Sequence, residues 1–150
     1  MDNRYDKFTT LILNISRYIQ KIKNFEMENF GLKGNYVQCI YHLYKEKEGV
    51  SAKVLSLMCG EDKSAISRTI KELENAGYVF IEEKESQKYR NPIKLTKKGE
   101  ILGEQVALKI ENILNIASDG ILEDEREKFY SQLTLISGNL QKICNEIGEK

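Results

Sequence analysis

The sequence predicts a mostly α-helical protein with one small β-hairpin. Three observations carry that expectation. Apolar residues recur at steps of three and four along most of the chain, the period of an amphipathic helix. The period breaks once, where the β-prone runs Tyr78-Val79-Phe80-Ile81 and Ile93-Lys94-Leu95 flank a polar stretch, EEKESQKYRNP. Glycines and capping residues punctuate the segment boundaries, and the single proline, Pro92, falls within the β region.

Each element follows from its residues. Phe8, Leu11, Ile12, Ile15, Ile19 and Ile22 form one stripe of a long first helix, interrupted at Gly31. A second helix is expected from about Asn35 to Lys47, with Val37, Ile40, Tyr41 and Tyr44 inward. Ser51 suits the N-cap of a short third helix whose inner residues are Val54, Leu55 and Met58. Gly60 suits its C′ position, where glycine takes the left-handed conformation cheaply. Asp62 can then accept from the free amides of a fourth helix that Gly77 ends. Helix, tight glycine turn and second capped helix make a helix-turn-helix.

The two β runs, joined by their polar loop, read as a wing, with Pro92 tolerated on an edge strand because its missing donor would face solvent. Thr96 caps a fifth helix with Leu102, Val106, Ile110, Ile113 and Ala117 inward. The last helix spaces Phe129, Leu133, Ile136, Leu140, Ile143 and Ile147 at alternating steps of four and three, the narrow seam of a coiled-coil-like contact. The expected fold is therefore mostly α with a small β-wing, in one domain spanning 1–150. A winged helix-turn-helix at about 33–99 is flanked by N- and C-terminal dimerisation helices at about 5–30 and 100–148. Phe8, Leu11, Ile12 and Ile15 with Phe129, Leu133, Ile136, Leu140, Ile143 and Ile147 are the candidate dimer contacts, because a small winged helix cannot cover both stripes.

Charge narrows the function. Lysines and arginines number 23 and so do aspartates and glutamates, so net charge selects no partner; a nucleic-acid binder would have to gather its cations locally. They do gather between Lys84 and Lys98, where Lys84, Lys88, Arg90, Lys94, Lys97 and Lys98 face one acid, Glu85. Apolar content of 41% with 31% charged residues suits a folded chain. No apolar run nears the ~18 residues of a membrane span, and MDNRYDKFTT is unlike a secretory leader. Three widely spaced cysteines suit a reducing compartment. A cytoplasmic protein without a membrane partner is expected.

The stretch GEDKSAISRTIKELENAGYV divides on a helical wheel. Ile66, Ile70 and Leu73 share one sector; Ser64, Ser67, Arg68 and Lys71 gather opposite. A polar face ordinarily just meets water, but this one belongs to the second helix of a helix-turn-helix beside a basic run. Such a helix lies in the major groove. Short serines let the backbone approach, and each hydroxyl can donate to a phosphate or accept from a base. Forked Arg68 suits guanine or phosphate, while Lys63 and Lys71 suit phosphates. The candidate DNA-binding set is Lys63, Ser64, Ala65, Ser67, Arg68 and Lys71, with Lys84, Lys88, Tyr89 and Arg90 from the wing, whose tip would reach the minor groove.

The strings DKSAISR, LENAGYV and LTKKG, with Leu55, Gly60, Asp62, Lys63, Ser64, Ser67, Arg68, Leu73, Glu74, Gly77, Tyr78, Val79, Leu95, Thr96 and Gly99, resemble the MarR (multiple antibiotic resistance regulator) family. The order of elements extends the resemblance over nearly the whole chain. It implies a homodimeric winged-helix transcription regulator, commonly a repressor, whose two recognition helices enter successive major grooves of a pseudo-palindromic operator. It also implies release by a small aromatic or other effector; some members instead sense oxidants through a cysteine, and some use zinc. Two departures stand out. The wing tip SQKYRNP lacks the acid that usually braces the family's arginine, and Lys33 replaces the threonine that commonly opens the second helix.

Other readings compete. Tyr18, Tyr36, Tyr41 and Tyr44 could line an effector cavity, although aromatics at helical spacing are more often core. Cys39 and His42 lie three apart on one helix and could share a face; with Tyr18 and Tyr36 they complete the candidate ligand set. As His42 is the sole histidine, no metal site and no cofactor is assigned. For oxidant sensing, Cys59 sits beside Glu61 and Asp62, Cys144 lies in the terminal seam, and Cys39 is left as the best-placed thiol. Neither a glycine-rich phosphate loop nor a nucleophile elbow is present, so no enzyme is expected. A winged helix used as a protein-interaction module is the alternative to a DNA-binding regulator.

Overall fold

The structure is a computed structural model that describes residues 3–83 and 91–148. Its element order is α1 (Arg4–Glu28), α2 (Tyr36–Lys45), α3 (Ala52–Cys59), α4 (Lys63–Asn75), β1 (Val79–Ile81), β2 (Ile93–Leu95), α5 (Lys97–Ala117) and α6 (Glu123–Gly148). The chain divides into two compact units, Met1–Lys109 and Ile110–Lys150, with α5 running through the boundary. Helices joined to one small antiparallel sheet make this a winged helix, as the sequence predicts.

The first unit holds the core. Met27 of α1, Cys39, Ile40 and Leu43 of α2, Leu55 of α3, Ile66 and Leu73 of α4, Ile93 of β2 and Leu102 of α5 are all buried. The inward stripe of α2 differs from the expected one: Tyr36, Val37, Cys39, Ile40 and Leu43 are buried, whereas Tyr41 and Tyr44 are only partly covered. Both stripes fit a helical period; the buried one is that which meets Cys59 of α3. In α3 only Leu55 is buried, Val54 is exposed and Met58 is partly so. A helix of two turns has one line of contact, and here Leu55 occupies it. Thr69 joins Ile66, Ile70 and Leu73 on the buried side of α4. In α5, Gly99, Leu102, Gly103 and Val106 are buried, Ile110 and Ile113 are partly covered, and Ala117 is exposed.

β1 and β2 pair antiparallel in the register Val79↔Leu95, Phe80↔Lys94 and Ile81↔Ile93. β2 is bonded on its other side as well. Val50 bridges Ile93, with Ile93 N donating to Val50 O at 2.8 Å and Val50 N to Ile93 O at 3.2 Å. Val50 immediately precedes the cap of α3, so the hairpin is stitched to the start of the helix-turn-helix. Pro92 precedes β2 rather than lying in an edge strand; it is buried, and its carbonyl accepts from Glu82 N at 2.9 Å.

In the second unit, α6 begins with Glu125 reaching back to accept from Leu122 N at 3.2 Å, half of a capping box. None of its described side chains is buried. Among the described residues no helix is long and apolar enough to cross a membrane.

Candidate nucleic-acid interface

The helix-turn-helix is assembled from local chemistry. Ser51 Oγ accepts from Val54 N at 3.3 Å and opens α3. Gly60 closes it with φ +65°, a left-handed conformation that would strain a residue bearing a Cβ. Inside this turn Glu61 N donates to Ser56 O at 3.1 Å, and Ser56 Oγ donates to Glu61 O at 2.5 Å. Asp62 Oδ1 then accepts from Ala65 N at 2.8 Å and starts α4. With Ile66, Thr69, Ile70 and Leu73 turned inward, Lys63, Ser64, Ser67, Arg68 and Lys71 are all exposed, and Ala65 is partly covered.

The far end of α4 is fastened by the string LTKKG. Thr96 Oγ1 donates to Gly77 O at 2.6 Å and accepts from Gly99 N at 3.1 Å, while Thr96 N donates to Tyr78 O at 3.0 Å. Thr96 thus caps α5 and holds the exit of α4 with one hydroxyl. Lys98 Nζ donates to Ala76 O at 2.8 Å and lies 4.3 Å from the Tyr78 ring centroid. A cation at the carbonyl end of a helix offsets the partial negative charge there. Gly99 makes this junction possible: a Cβ at this position would collide with the Tyr78 carbonyl.

Electrostatics revise the expected basic run. Lys94 pairs with Glu82 at 3.2 Å, Lys97 with Glu100 at 3.7 Å, and Lys98 is engaged at the end of α4. Lys84, Lys88, Tyr89 and Arg90 lie outside the described residues. The cations of α4 differ. Lys63, Arg68 and Lys71 have no hydrogen-bond or ion-pair partner among the described residues, so their charges face outward. One acid of α4 is accounted for: Lys33 Nζ lies 2.9 and 3.2 Å from the two carboxylate oxygens of Glu72. Lys33 was the unexplained departure in the sequence, and its partner is 39 positions away. Ser67 also changes. Its hydroxyl donates to Lys63 O at 2.8 Å, which leaves its lone pairs, and not its proton, for anything outside.

Comparison with known proteins bears on this geometry. No curated protein matches the sequence. A family model described as MarR family matches residues 30–88. That segment is similar to the MarR family. Solved MarR structures share the fold of the chain well beyond it. The S. aureus MepR–DNA complex is 18% identical, covering 89% of this chain and 97% of its own with a TM-score of 0.79. A Listeria monocytogenes protein assigned to MarR-family transcriptional regulators, complexed with 26mer DNA, is 23% identical over 88% and 87% of the two chains, TM-score 0.77. A MarR regulator from Methanosarcina mazei Go1 is 24% identical over 92% and 99%, TM-score 0.76. At these identities the likeness is one of fold.

The candidate ligand residues Tyr18, Tyr36, Cys39 and His42 lie in different surroundings. Tyr18 is 56% exposed beneath the guanidinium of Arg17, 5.5 Å away. Tyr36 is buried, and its hydroxyl has no hydrogen-bond partner among the described residues. The open groove where α1 meets the start of α2 is lined by Gln20, Asn24, Phe25, Glu28, Leu32 and Asn35, together with Gly31, Lys33 and Gly34, and includes none of the four. His42 packs edge-on against Tyr41, ring centroids 5.6 Å apart.

Cys39 faces a different partner: its Sγ lies 3.6 Å from that of Cys59. This hydrogen bond and burial push the Cys39 thiol up. The same hydrogen bond draws Cys59 down; burial and the Glu61 carboxylate act against it, and Lys23 of α1 adds a smaller pull in the same downward direction. Cys59, not Cys39, is therefore the thiol poised to ionise. Sequence proximity to Glu61 and Asp62 had suggested the reverse, because Lys23 and Cys39 reach Cys59 only through the fold.

Proposed function

We propose that this chain is a sequence-specific DNA-binding transcription regulator of the MarR type. The observation that carries the reading is the outer face of α4, where Ser64, Arg68 and Lys71 are exposed, the cations are unpaired among the described residues, and the adjoining Glu72 is neutralised by Lys33. A helix held at both ends by caps, with its cations outward, is preorganised to enter a major groove. That fold-level relatives are complexed with DNA supports the same reading.

The regulator acts as a homodimer in the cytoplasm. Phe8, Leu11, Ile12 and Ile15 on α1 are exposed, as are Phe129, Ile136, Leu140, Ile143 and Ile147 on α6, while Leu133 is partly covered. Two helices with apolar stripes in water call for a partner surface, and a second copy also explains how two recognition helices could read a pseudo-palindrome. Repression relieved by a small effector is the further part of the proposal, supported by the family resemblance.

Selection of bound duplexes from a random pool tests the reading. The expected outcome is an inverted-repeat motif with half-sites about 10–10.5 bp apart, or a multiple of that spacing. Failure to retain any duplex at low salt would overturn it and favour the protein-interaction module.

A further inference from the structure

Cys39 and Cys59 are 20 positions apart in the chain, one on the buried side of α2 and the other the last residue of α3. Both are free thiols, and their sulfur atoms lie 3.6 Å apart. The pair is asymmetric. Cys39 is 2% exposed, whereas Cys59 is partly exposed and accessible to a small solute. The thiolate is the reactive form; at Cys59 the hydrogen bond from Cys39 favours it first, the half-buried ammonium of Lys23 adds to that, and burial and the Glu61 carboxylate oppose it. Behind it stands a second sulfur that solvent scarcely reaches. An attacking thiol in front and a resolving thiol behind is the arrangement that dithiol oxidation requires.

We propose that Cys39 and Cys59 form a redox-active dithiol site that a hydroperoxide converts to an intramolecular disulfide. The Cys59 thiolate attacks the terminal peroxide oxygen, the O–O bond breaks, and the alkoxide takes a proton and departs as alcohol. Cys59 is left as a sulfenic acid. Cys39 gives up its proton and attacks the Cys59 sulfur; the S–O bond breaks and hydroxide leaves as water with that proton. Two thiols lose two electrons and two protons, the peroxide is reduced to alcohol and water, and one S–S bond forms. A disulfide is about 2.05 Å long, so the end of α3 has to draw toward α2. The site stands whether or not α4 meets DNA, since it is defined by the chemistry of the two sulfurs alone.

Peptide mapping of the full chain tests it. The reduced protein is exposed to equimolar cumene hydroperoxide, alkylated and cut with trypsin, which separates Cys39 in the peptide 34–45 from Cys59 in the peptide 54–63. The expected product is these two peptides joined, lighter by two hydrogens than their sum, in the wild type and in Cys144→Ser alike. Cys39→Ser should stop at a Cys59 sulfenic acid that dimedone traps, and Cys59→Ser should leave Cys39 as a thiol. The proposal is overturned if oxidation is confined to exposed Cys144, or if wild-type Cys59 proceeds to sulfinic acid with no joined peptide.

Discussion

Thr96 is the most economical place to test how the recognition helix is held. Thr96→Val keeps the branched shape and removes the hydroxyl. Two hydrogen bonds vanish together: the one from Gly99 N, which is the N-cap of α5, and the one to Gly77 O at the exit of α4. Loss of an N-cap costs about 1 kcal/mol. Loss of an ordinary hydrogen bond adds about 0.5–1 kcal/mol, toward the low side here because the Gly77 carbonyl is at the surface and water can replace the donor. The sum is about 1.5–2 kcal/mol, which lowers the midpoint of thermal unfolding by about 3–8 °C in a chain of this size. Circular dichroism melts at one fixed protein concentration provide the assay, since subunit association would otherwise shift the midpoint. Thr96→Ser, which retains the hydroxyl, should recover most of the loss. If the valine variant melts with the wild type, or the serine variant falls as far as the valine one, the hydroxyl is not what fastens α4 to α5.

Arg68→Ala should weaken specific operator binding by about 1–3 kcal/mol and relax base preference in a gel-shift titration; unchanged affinity and preference would remove Arg68 from the readout. Lys71→Ala should weaken binding to all duplexes and flatten the salt dependence by about one unit of slope, and an unaltered slope would exclude a phosphate contact. Replacing Ile12 and Ile15 together by aspartate should convert a dimer to a monomer in sedimentation equilibrium; a variant that sediments as the wild type does would place the interface elsewhere. Because the hydrogen bond from Cys39, with a smaller contribution from Lys23, lowers the Cys59 thiol, its alkylation should reach half its maximal rate at a lower pH in the wild type than in Cys39→Ser. Lys23→Gln should move that midpoint upward, and a midpoint indifferent to the change would show that Lys23 does not govern it.

Much of the fold was legible because its boundaries are written in local chemistry. Ser51, Gly60 and Asp62 do their work within a few residues, as Thr96 does in capping α5, and all four caps are where the sequence implied. The hairpin was legible too, from a change of period. What escaped was set by distance. Tyr41 and Tyr44 fit a helical stripe as well as Cys39 and Leu43 do, and only the arrival of α3 decides which stripe is covered. Lys33 looked like a failed cap until Glu72 arrived beside it. The basic run was overcounted because sequence records cations but not the carboxylates and carbonyls that the fold sets against Lys94, Lys97 and Lys98. The outer face of α4 was legible as a surface because Ile66, Ile70 and Leu73 fix which side of the helix turns inward.

One detail of that face limits which operators can suit it. As long as Ser67 keeps its proton on the Lys63 carbonyl, it presents lone pairs outward. Such a group favours adenine or cytosine, whose exocyclic amino groups offer hydrogens in the major groove, and disfavours the keto edges of guanine and thymine. The neighbouring guanidinium of Arg68 wants the opposite, the O6 and N7 of guanine. A G·C pair carries both partners in one groove, guanine O6 and N7 for Arg68 and the cytosine amino group for Ser67, so G·C pairs under this face would suit the two side chains together.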